Sequence, residues 1–505
     1  YQVPALPPSE EAYVEVYEQL RSYKQWGLEQ LLVNHPADVW EDGLGISLGG
    51  SEAKGGDDAL LEYLEAVEDL GYRYTLASGY TEFSSETGGW DKSSAGLGSD
   101  GNPMASGGNR YLLKPSAANE TAKSHLPTLF QRFEGAGAFI SGHAATPPSS
   151  RIDYDSNTLD SASFAKSLDQ ERRLLEGLQE IARDSSRLIV GEGGSHWMYA
   201  GLLSGYLAGL SGPNPHRIPL LLDFDLKLLH GAHVNAGVGT TGLFFGKNPP
   251  PVSERTSRSA WLDRYIATTV AYGHAGVLPE IDDWGLAAVM KTYYLLVKLQ
   301  NRYLNTEVES VLYHRDGRML EVAEALVSGV YEDSQVEVLY RNGLRVCVNG
   351  SWSNDWTVEH QSREYRLPPA SFLAHAPDGL LVFSADQGNG RIDFADCGDF
   401  FYCDTRGERA SLGPVSLSGA AAVRTEAWQI DVYPIECEGD IEIRPENLWP
   451  DRRMPRLRIL AFQEDEDQPQ VIAANVSAAS VTLEPREGIC KFRITLPEWM
   501  VEPGK

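Results

Sequence analysis

Short apolar runs alternate with longer amphipathic segments over about the first 310 residues, and this alternation limits the fold more than any other feature. An apolar run followed by a helical period, repeated many times, is typical of a parallel sheet whose strands are joined by helices. Helices are predicted over 57–71, which ends at Gly71, over 160–184 and over 286–303. The strand candidates are residues 28–36, 72–80, 135–145, 186–194, 218–225 and 268–280.

The length of this alternating region favours an α/β fold of the (β/α)8 TIM-type barrel over residues 1–314. Six strand candidates are clear. The remaining strands are expected in residues 237–246, in the N-terminal region or in a segment outside this sequence. A Gly- and Ser-rich stretch over residues 84–110 interrupts the pattern, and a long loop of this kind is usually functional or mobile.

After about residue 315 the period changes from that of helices to that of strands. Asn342-Gly343 joins two β-rich runs and predicts a two-residue type I′ hairpin, in which both central residues have positive φ. Short strands between turn residues continue to the C-terminus, so we expect β-sandwich material over 315–505, as one or two modules with a possible split near residue 430.

Composition and charge exclude several classes of partner. The formal net charge of -28, without a compensating basic cluster, argues against nucleic acid. No apolar run reaches the roughly 20 residues that a membrane helix needs. The five cysteines all lie in the last third at spacings unlike those of zinc sites, and they are either mostly free or form one or two pairs.

Polar and aromatic residues follow each apolar run, where a barrel places its reactive groups. Carboxylates, histidines and tryptophans recur at these positions. The candidate residues for substrate binding are His35, Trp40, Tyr80, Trp90, His143, His196, Trp197, Asp225, His230, His274, Asp283 and Trp284.

Paired carboxylates with aromatic platforms suit glycoside hydrolysis, in which one carboxyl protonates the leaving oxygen and the other attacks or activates water. Glu192 is the best acid/base candidate because an apolar strand would hold it and two glycines would let substrate approach. The alternative is a polar residue in a turn. Carbohydrate is therefore the expected substrate.

The second carboxylate is open between two pairs, of which Asp153 and Asp155 are preferred over Asp223 and Asp225. Asp153 and Asp155 precede Glu192 by one strand-helix unit, and Asp223 and Asp225 follow it. In each pair the two side chains share one side if the segment is extended. For each of these residues, a salt bridge or a hydrogen bond to a sugar hydroxyl is an equally good interpretation.

Motifs of other enzyme classes are missing. The sequence contains no HExxH, GxxxxGK[ST] or strand-anchored GxGxxG motif, and its GxSxG match, GISLG at residues 45–49, does not follow an apolar strand-like run. His230 and His233 could bind a metal with a nearby aspartate, but two histidines are a weak signal. We expect neither a metal nor another cofactor.

The segments "RIDYD", "LLEGLQEIARD", "SRLIVGEGGSHW" and "IPLLLDFDLKLLHGA", with "AYGHAG" and "YRLPPASFLA" further on, resemble endo-α-N-acetylgalactosaminidases and related (β/α)8-barrel glycosidases. The resemblance covers about residues 25–430 and rests on order and spacing. It implies a retaining glycosidase with Glu192 as acid/base and an aspartate at the end of the preceding strand as nucleophile. That strand reads "GAFISGHAA", with Ser141 and Gly142 in place of the aspartate.

Three functions are compatible with these residues. The first is a retaining α-glycosidase for galactose- or N-acetylgalactosamine-containing glycans. The second is a non-catalytic carbohydrate-binding protein on a degenerate barrel, which the missing aspartate favours. The third, a polysaccharide lyase that uses His and Tyr, is the weakest.

Overall fold

The computed structural model describes residues 5–6, 11–86, 91–157, 161–207, 219–222, 258–304, 306–388, 390–449, 457–464, 468–472, 475–477 and 480–496. They group into two compact units. The first unit comprises Tyr1–Leu20, Glu29–His216 and Asp225–Pro249, and the second comprises Arg21–Leu28, Arg217–Phe224 and Pro250–Lys505. The candidate residues that follow strands up to Glu192 all belong to the first unit.

The three predicted helices are present in the structure, and the described residues form six further helices that were not predicted. The predicted helix over 57–71 ends with Gly71 at φ +79°, a conformation that glycine adopts without strain. The α-helices are α1 Tyr13–Gln25, α2 Gly56–Asp69, α3 Pro115–Arg132, α4 Phe164–Asp184, α5 Arg258–Tyr272, α6 Ile281–Trp284, α7 Leu286–Tyr303, α8 Val322–Ser328 and α9 Pro445–Leu448.

The first unit is built on a parallel six-stranded sheet whose strands neighbour one another in chain order, as in one half of a barrel. Helices α2 and α4 each connect two of these strands, and the strands between the sheet's edges are almost completely buried. The described residues form a curled half-barrel sheet and do not close it. Its strands are β1 Ala5–Leu6, β2 Leu32–His35, β3 Arg73–Gly79, β7 Gly137–Ser141, β8 Ile189–Glu192 and β9 Gly205–Leu207.

The Gly- and Ser-rich stretch after β3 contains a small antiparallel sheet. Its strands, β4 Glu82–Ser84, β5 Ala105–Gly107 and β6 Arg110–Leu112, pair in the order β4-β6-β5. Because the stretch begins where β3 ends, this small sheet belongs to the connections at the carboxyl edge of the parallel sheet.

The second unit is rich in β-strands, as predicted, and its apolar core is shared by a large antiparallel sheet and a smaller one. Ile441 and Ile443 of the smaller sheet are fully buried in the same cluster as Ile430 and Phe492 of the large sheet. Helices α5 and α7 also pack against strands of the large sheet.

The large sheet contains β10 Val308–Arg315, β11 Arg318–Glu321, β12 Gln335–Tyr340, β13 Arg345–Asn349, β14 Trp356–His360, β15 Arg363–Leu367, β16 Ser371–His375, β17 Leu381–Asp386, β18 Arg391–Asp396, β19 Phe400–Asp404, β22 Gly419–Thr425, β23 Gln429–Cys437, β25 Arg458–Gln463, β26 Gln470–Val471 and β29 Ile489–Thr495. The smaller sheet contains β20 Ala410–Leu412, β21 Val415–Leu417, β24 Ile441–Ile443, β27 Asn475–Val476 and β28 Val481–Leu483.

Two local predictions are corrected by the structure. The segment 268–280, predicted as a strand, begins as the last turn of α5, and its first residues are buried on a helix that is apolar on most sides. A short apolar run cannot distinguish these two cases. The hairpin at Asn342-Gly343 has a three-residue loop: Gly343 has φ +82° but Asn342 does not have positive φ, and Tyr340 N–H bonds the Leu344 carbonyl at 2.9 Å. This is a turn followed by a glycine bulge, the next commonest hairpin connection.

All five cysteines lie within the described part of the chain, and each is a free thiol. Burial raises the pKa of the Cys490 thiol to about 11, so this thiol stays protonated at neutral pH. Within the same residues, no helix is both long and apolar enough to cross a membrane.

Candidate active site

The carboxyl ends of the parallel strands bring Glu192 next to the Ser141–Gly142 segment. Glu192 is the last residue of β8, an inner strand that pairs with β7 on one side and β9 on the other. The three preceding residues of β8 are buried, whereas Glu192 is exposed. Its Oε2 atom accepts a hydrogen bond of 3.0 Å from the Gly142 N–H. The carboxylate is thus solvent-accessible but fixed by the neighbouring strand end.

The glycines after Glu192 allow the backbone to approach its neighbours closely. The Gly193 N–H donates to the Leu207 carbonyl at 2.7 Å and so continues the pairing with β9. A Cβ atom at Gly194 would lie 2.3 Å from the Ala145 carbonyl oxygen. The Ser195 N–H bonds the Ala144 carbonyl at 2.7 Å. Only glycine therefore fits at residue 194 in this arrangement.

A tight turn ends β7. The His143 N–H bonds the Ser141 carbonyl at 3.0 Å, and Gly142 between them has φ +79°. A bond from residue i+2 to residue i with a positive central φ defines the rare form of the γ-turn, and glycine is the residue that adopts this φ without strain. The Gly142 N–H takes no part in the turn and is available to Glu192.

A buried ionic cluster lies directly behind this turn. The side chains of His143, Arg151 and Glu171 have at most 5% of their surface exposed. His143 Nδ1 lies 2.7 Å from Glu171 Oε2, and Arg151 Nη1 lies 3.2 Å from Glu171 Oε1. Because a carboxylate only accepts hydrogen bonds, His143 Nδ1 carries a proton and donates it.

The protonation of the cluster follows from burial and charge. Burial lowers the pKa of His143, although Glu171 acts in the opposite direction. Burial acts to raise the pKa of Glu171, but His143 and Arg151 together lower it below its ordinary value. Glu171 is therefore a charged carboxylate with two donors.

Sequence reasoning missed both Glu171 and Arg151. A signal for Glu171 was present: it occupies the first position of the apolar stripe of α4 that continues with Leu174, Leu175 and Leu178. A carboxylate in a buried stripe requires a partner. Arg151, in a short 3₁₀ turn over Pro148–Arg151, carried no comparable signal.

Asp153 and Asp155 hold the connection after β3 in place. Asp153 Oδ1 accepts from the Leu97 N–H at 2.9 Å and from the Asp155 N–H at 3.1 Å. Asp155 Oδ2 lies 2.5 Å from Lys114 Nζ, and this hydrogen bond lowers the pKa of Asp155. Both carboxylates are thus occupied by protein donors.

Three other candidates at the strand ends are buried and bonded within the protein. The ring nitrogens of His35 face the Thr75 carbonyl and the Tyr63 hydroxyl, and burial lowers the pKa of His35 to about 4. Trp40 Nε1 donates to a backbone carbonyl at 2.6 Å, and the Tyr80 hydroxyl lies 2.9 Å from the imidazole of a histidine in α3. These side chains, like His143, are buried beneath the edge of the sheet and are not exposed to a substrate.

Trp197 and His196 follow Glu192 in a short 3₁₀ turn, His196–Tyr199. Trp197 has 51% of its surface exposed. His196 is half-buried against the Tyr206 ring, with ring centroids 5.8 Å apart, and its Nδ1 accepts from the Gly194 N–H at 3.3 Å. An exposed indole is a platform on which the apolar face of a sugar can stack, and Trp197 follows Glu192 by five residues in the sequence.

The remaining candidates belong to the second unit or lie outside the described residues. His274, Asp283 and Trp284 belong to the second unit; the His274 backbone carbonyl accepts from the Tyr303 hydroxyl at 2.7 Å, and the Arg258 guanidinium lies 6.0 Å from the Trp284 ring centroid. Trp90, Asp223, Asp225, His230 and His233 lie outside the described residues. Among the described residues no group of three or more His, Cys, Asp or Glu side chains is arranged to hold a metal ion.

Comparison with solved structures finds glycoside hydrolases. An α-N-acetylgalactosaminidase from Bifidobacterium bifidum matches with a TM-score of 0.50 and 14% identity, over 68% of this chain and 51% of that chain. An α-galactosidase from Thermus thermophilus matches with a TM-score of 0.37 and 12% identity, over 64% of this chain and 67% of that one. A maltogenic α-amylase from Thermotoga neapolitana matches with a TM-score of 0.37 and 9% identity, over 98% and 99% of the two chains.

The first of these similarities shows a fold shared with a glycoside hydrolase. This chain spans about half the length of that enzyme. No model of a known protein family matches the sequence, and no curated protein matches it.

Proposed function

We propose that this chain is a glycoside hydrolase that cleaves α-glycosidic bonds in galactose- or N-acetylgalactosamine-containing glycans, with retention and with Glu192 as the acid/base. One observation carries the proposal: Glu192 is an exposed carboxylate at the carboxyl end of an inner parallel strand, with one oxygen fixed by a backbone N–H. Reactive groups of barrel enzymes occupy this position.

The contact with Gly142 assigns the two oxygens of Glu192 different tasks. Oε2 accepts the Gly142 N–H, so in the protonated acid it is the carbonyl oxygen and the proton is on Oε1. Oε1 then donates this proton to the glycosidic oxygen as the bond to the leaving group breaks. In the second step the carboxylate takes a proton from the water that attacks the sugar.

A retaining reaction needs a second carboxylate as nucleophile. Asp153 and Asp155 are held by Leu97 and Lys114, and the end of β7 carries no carboxylate. We therefore favour Asp223 or Asp225, which follow the next apolar run of the sequence. The shared fold supports the reaction class, and the activity of the Bifidobacterium bifidum enzyme, an α-N-acetylgalactosaminidase, supports the sugar.

The first test is the substitution Glu192→Gln, which keeps the volume of the side chain and removes the acid. With methoxyphenyl α-galactosides and α-N-acetylgalactosaminides, we expect kcat/KM to fall by about 10² to 10⁴, the usual contribution of a general acid. With dinitrophenyl glycosides, whose leaving group needs no proton, the first step stays fast and a burst of dinitrophenolate precedes slow turnover. Stopped-flow absorbance separates the two phases.

Glu180→Gln is the matched control, because Glu180 is an exposed glutamate on α4. We expect the Glu180→Gln variant to keep the rates of both substrates unchanged. Equal activity of Glu192→Gln and the unmodified protein on methoxyphenyl glycosides would contradict the assignment of the acid.

A binding-only protein is the second candidate function, favoured by the missing carboxylate at the end of β7. It predicts that the unmodified protein binds galactose-type oligosaccharides in calorimetry but releases no dinitrophenolate from any aryl glycoside.

A further inference from the structure

We propose that His143 is a positioning residue for the acid/base: it holds the turn at Gly142 in the one conformation that directs the Gly142 N–H at Glu192. The inference rests on the function proposed above, and it adds a role for three side chains that are almost completely buried. His143, Glu171 and Arg151 act through the backbone and not through contact with substrate.

The turn at Gly142 does not fix its own conformation. Its internal hydrogen bond joins the His143 N–H to the Ser141 carbonyl, and glycine adopts the central φ of +79° as readily as many other values. Something adjacent must therefore hold the turn, and His143 is the residue that completes it.

His143 is held by two side chains, one at its ring and one at its backbone carbonyl. Its ring donates to Glu171 Oε2 at 2.7 Å, and its backbone carbonyl accepts from Arg151 Nη2 at 3.1 Å. With the N–H bonded to Ser141, the residue is bound at its ring, its N–H and its carbonyl. The Ser141 carbonyl that the His143 N–H holds belongs to the same peptide unit as the Gly142 N–H, so holding His143 also holds the direction of the Gly142 N–H.

The residues that hold His143 come from two other elements. Glu171 lies on α4, and Arg151 lies in the 3₁₀ turn that follows β7. An ion pair joins them, with 3.2 Å between Arg151 Nη1 and Glu171 Oε1. The cluster is buried, so water does not screen its charges or compete for its hydrogen bonds. The cluster therefore ties the turn to α4 through His143 and Glu171.

Thr81 also restricts Gly142. A Cβ atom at Gly142 would lie 2.8 Å from Thr81 Cγ2, so this side chain packs closely against the Gly142 backbone. Thr81 and the buried cluster both limit the turn, and Glu192 accepts the Gly142 N–H.

The consequence is specific for proton donation. If the His143 ring is lost, the turn relaxes, the Gly142 N–H leaves Glu192, and the carboxyl no longer has a fixed orientation. Displacement of a catalytic group by about 1 Å can cost about 100-fold in rate. The loss should affect substrates that need a proton and spare those that do not.

The experiment compares His143→Leu with His143→Gln. Leucine fills the buried space without a donor, while glutamine can still donate to Glu171. For His143→Leu we expect kcat/KM on methoxyphenyl α-glycosides to fall by about 10- to 100-fold, with kcat/KM on dinitrophenyl α-glycosides within about 2-fold of the unmodified protein. His143→Gln restores most of the lost rate.

An equal fall on both substrates would overturn the proposal, because a structural defect lowers the rate of every substrate alike. An unchanged rate on both would overturn it too. If His143→Leu does not fold, as judged by circular dichroism, Glu171→Gln replaces it: it preserves the acceptor for His143 but removes the charge that holds Arg151, and the same substrate-dependent loss is expected.

The proposed function and this inference fail in different ways. If Glu192→Gln leaves the rate on methoxyphenyl glycosides unchanged, the function is wrong. If Glu192→Gln shows the substrate-dependent loss and neither His143→Leu nor Glu171→Gln does, Glu192 is the acid and the buried cluster does not position it.

Discussion

Gly142 is the residue on which the geometry of the candidate site depends most. Its φ of +79° is unfavourable for any other residue, and a Cβ atom would be 2.8 Å from Thr81 Cγ2 and 3.1 Å from Thr81 Oγ1. We expect Gly142→Ala to lower the free energy of unfolding by about 1–3 kcal/mol, the cost of one strained backbone position. Urea unfolding followed by tryptophan fluorescence measures this change.

Gly177 provides the control for Gly142→Ala. It lies inside α4, and a Cβ atom there would meet nothing within 4 Å. Gly177→Ala should stabilise the protein by about 0.5–1 kcal/mol, because glycine is unfavourable inside a helix. Adding Thr81→Ser to Gly142→Ala should recover the part of the loss that comes from the contact with Cγ2. Equal effects of the two glycine substitutions would refute the special role of Gly142.

At the residue scale, sequence reasoning locates strand ends but not the direction of side chains. Glu192 was predicted from an apolar run followed by a polar residue, and it is exposed at a strand end. His143 has the same pattern, yet it is fully buried. The difference is one turn of backbone: Gly142 reverses the chain, and His143 then points behind the sheet. The pattern of apolar and polar residues does not encode such a reversal.

At the element scale, Asp153 and Asp155 connect two loops at the carboxyl edge of the parallel sheet. They follow β7, and their partners Leu97 and Lys114 lie in the connection that contains β4, β5 and β6. Their contacts therefore hold the small antiparallel sheet and the loop after β7 together.

The contact between Asp155 and Lys114 makes this arrangement sensitive to pH. The hydrogen bond from Lys114 lowers the pKa of Asp155. A carboxyl with a lowered pKa stabilises the folded arrangement above its unfolded value, about 3.9, and the contribution is lost as the pH falls through the folded value. We expect amide protection in Arg110–Leu112 to decrease below about pH 4.

Hydrogen exchange with mass spectrometry, corrected for the intrinsic exchange rate at each pH, measures this protection. Asp155→Asn should show low protection at every pH, because the charge is already missing. Asp169→Asn is the control: Asp169 forms an exposed pair with Arg173 on α4 and does not contact the small sheet. A pH dependence that persists in Asp155→Asn would show that another group controls the small sheet.

Helices were easier to predict than strands or turns. The residues of α7, Leu286–Tyr303, are those of the predicted helix 286–303, because a long period leaves many matching positions. The run at 268–272 is part of α5 because so short a run, with only Val270, Ala271 and Tyr272 apolar or aromatic, fits either period. The loop at Asn342 differs from its prediction because the twist of the flanking strands, and not the dipeptide alone, selects the turn.

At the scale of the whole molecule, the second unit has a buried cluster of charges that neither strand periodicity nor motif searching could predict. Lys291 Nζ lies 2.7 Å from Asp263 Oδ1 and 2.6 Å from Asp393 Oδ2. Arg391 and Arg406 approach Asp263 at 3.1 Å and 2.8 Å. Residues far apart in the sequence meet here through α5, α7 and β18, and only the tertiary fold brings them together.

Three cations face two carboxylates in this cluster, so the loss of one carboxylate leaves a large imbalance. Burial acts to raise the pKa of Asp393, but Arg406 and Lys291 lower it well below its ordinary value. Asp393→Asn keeps the shape and removes the charge. We expect it to lower the free energy of unfolding by about 3–5 kcal/mol, the usual cost of breaking a buried pair by removing one partner.

Asp399→Asn is the matched control for this last prediction. Asp399 pairs with Lys298 at 2.7 Å, but both side chains are partly exposed, and such pairs contribute less than about 1 kcal/mol. The lowered pKa of Asp393 means that its contribution is present above the ordinary carboxyl range and is lost as the medium becomes more acidic. Urea unfolding at several pH values measures the free energy of unfolding of both variants. We expect Asp393→Asn to be less stable than Asp399→Asn at neutral pH and the two values to converge in acid. Equal stabilities at neutral pH would mean that the cluster does not stabilise the fold.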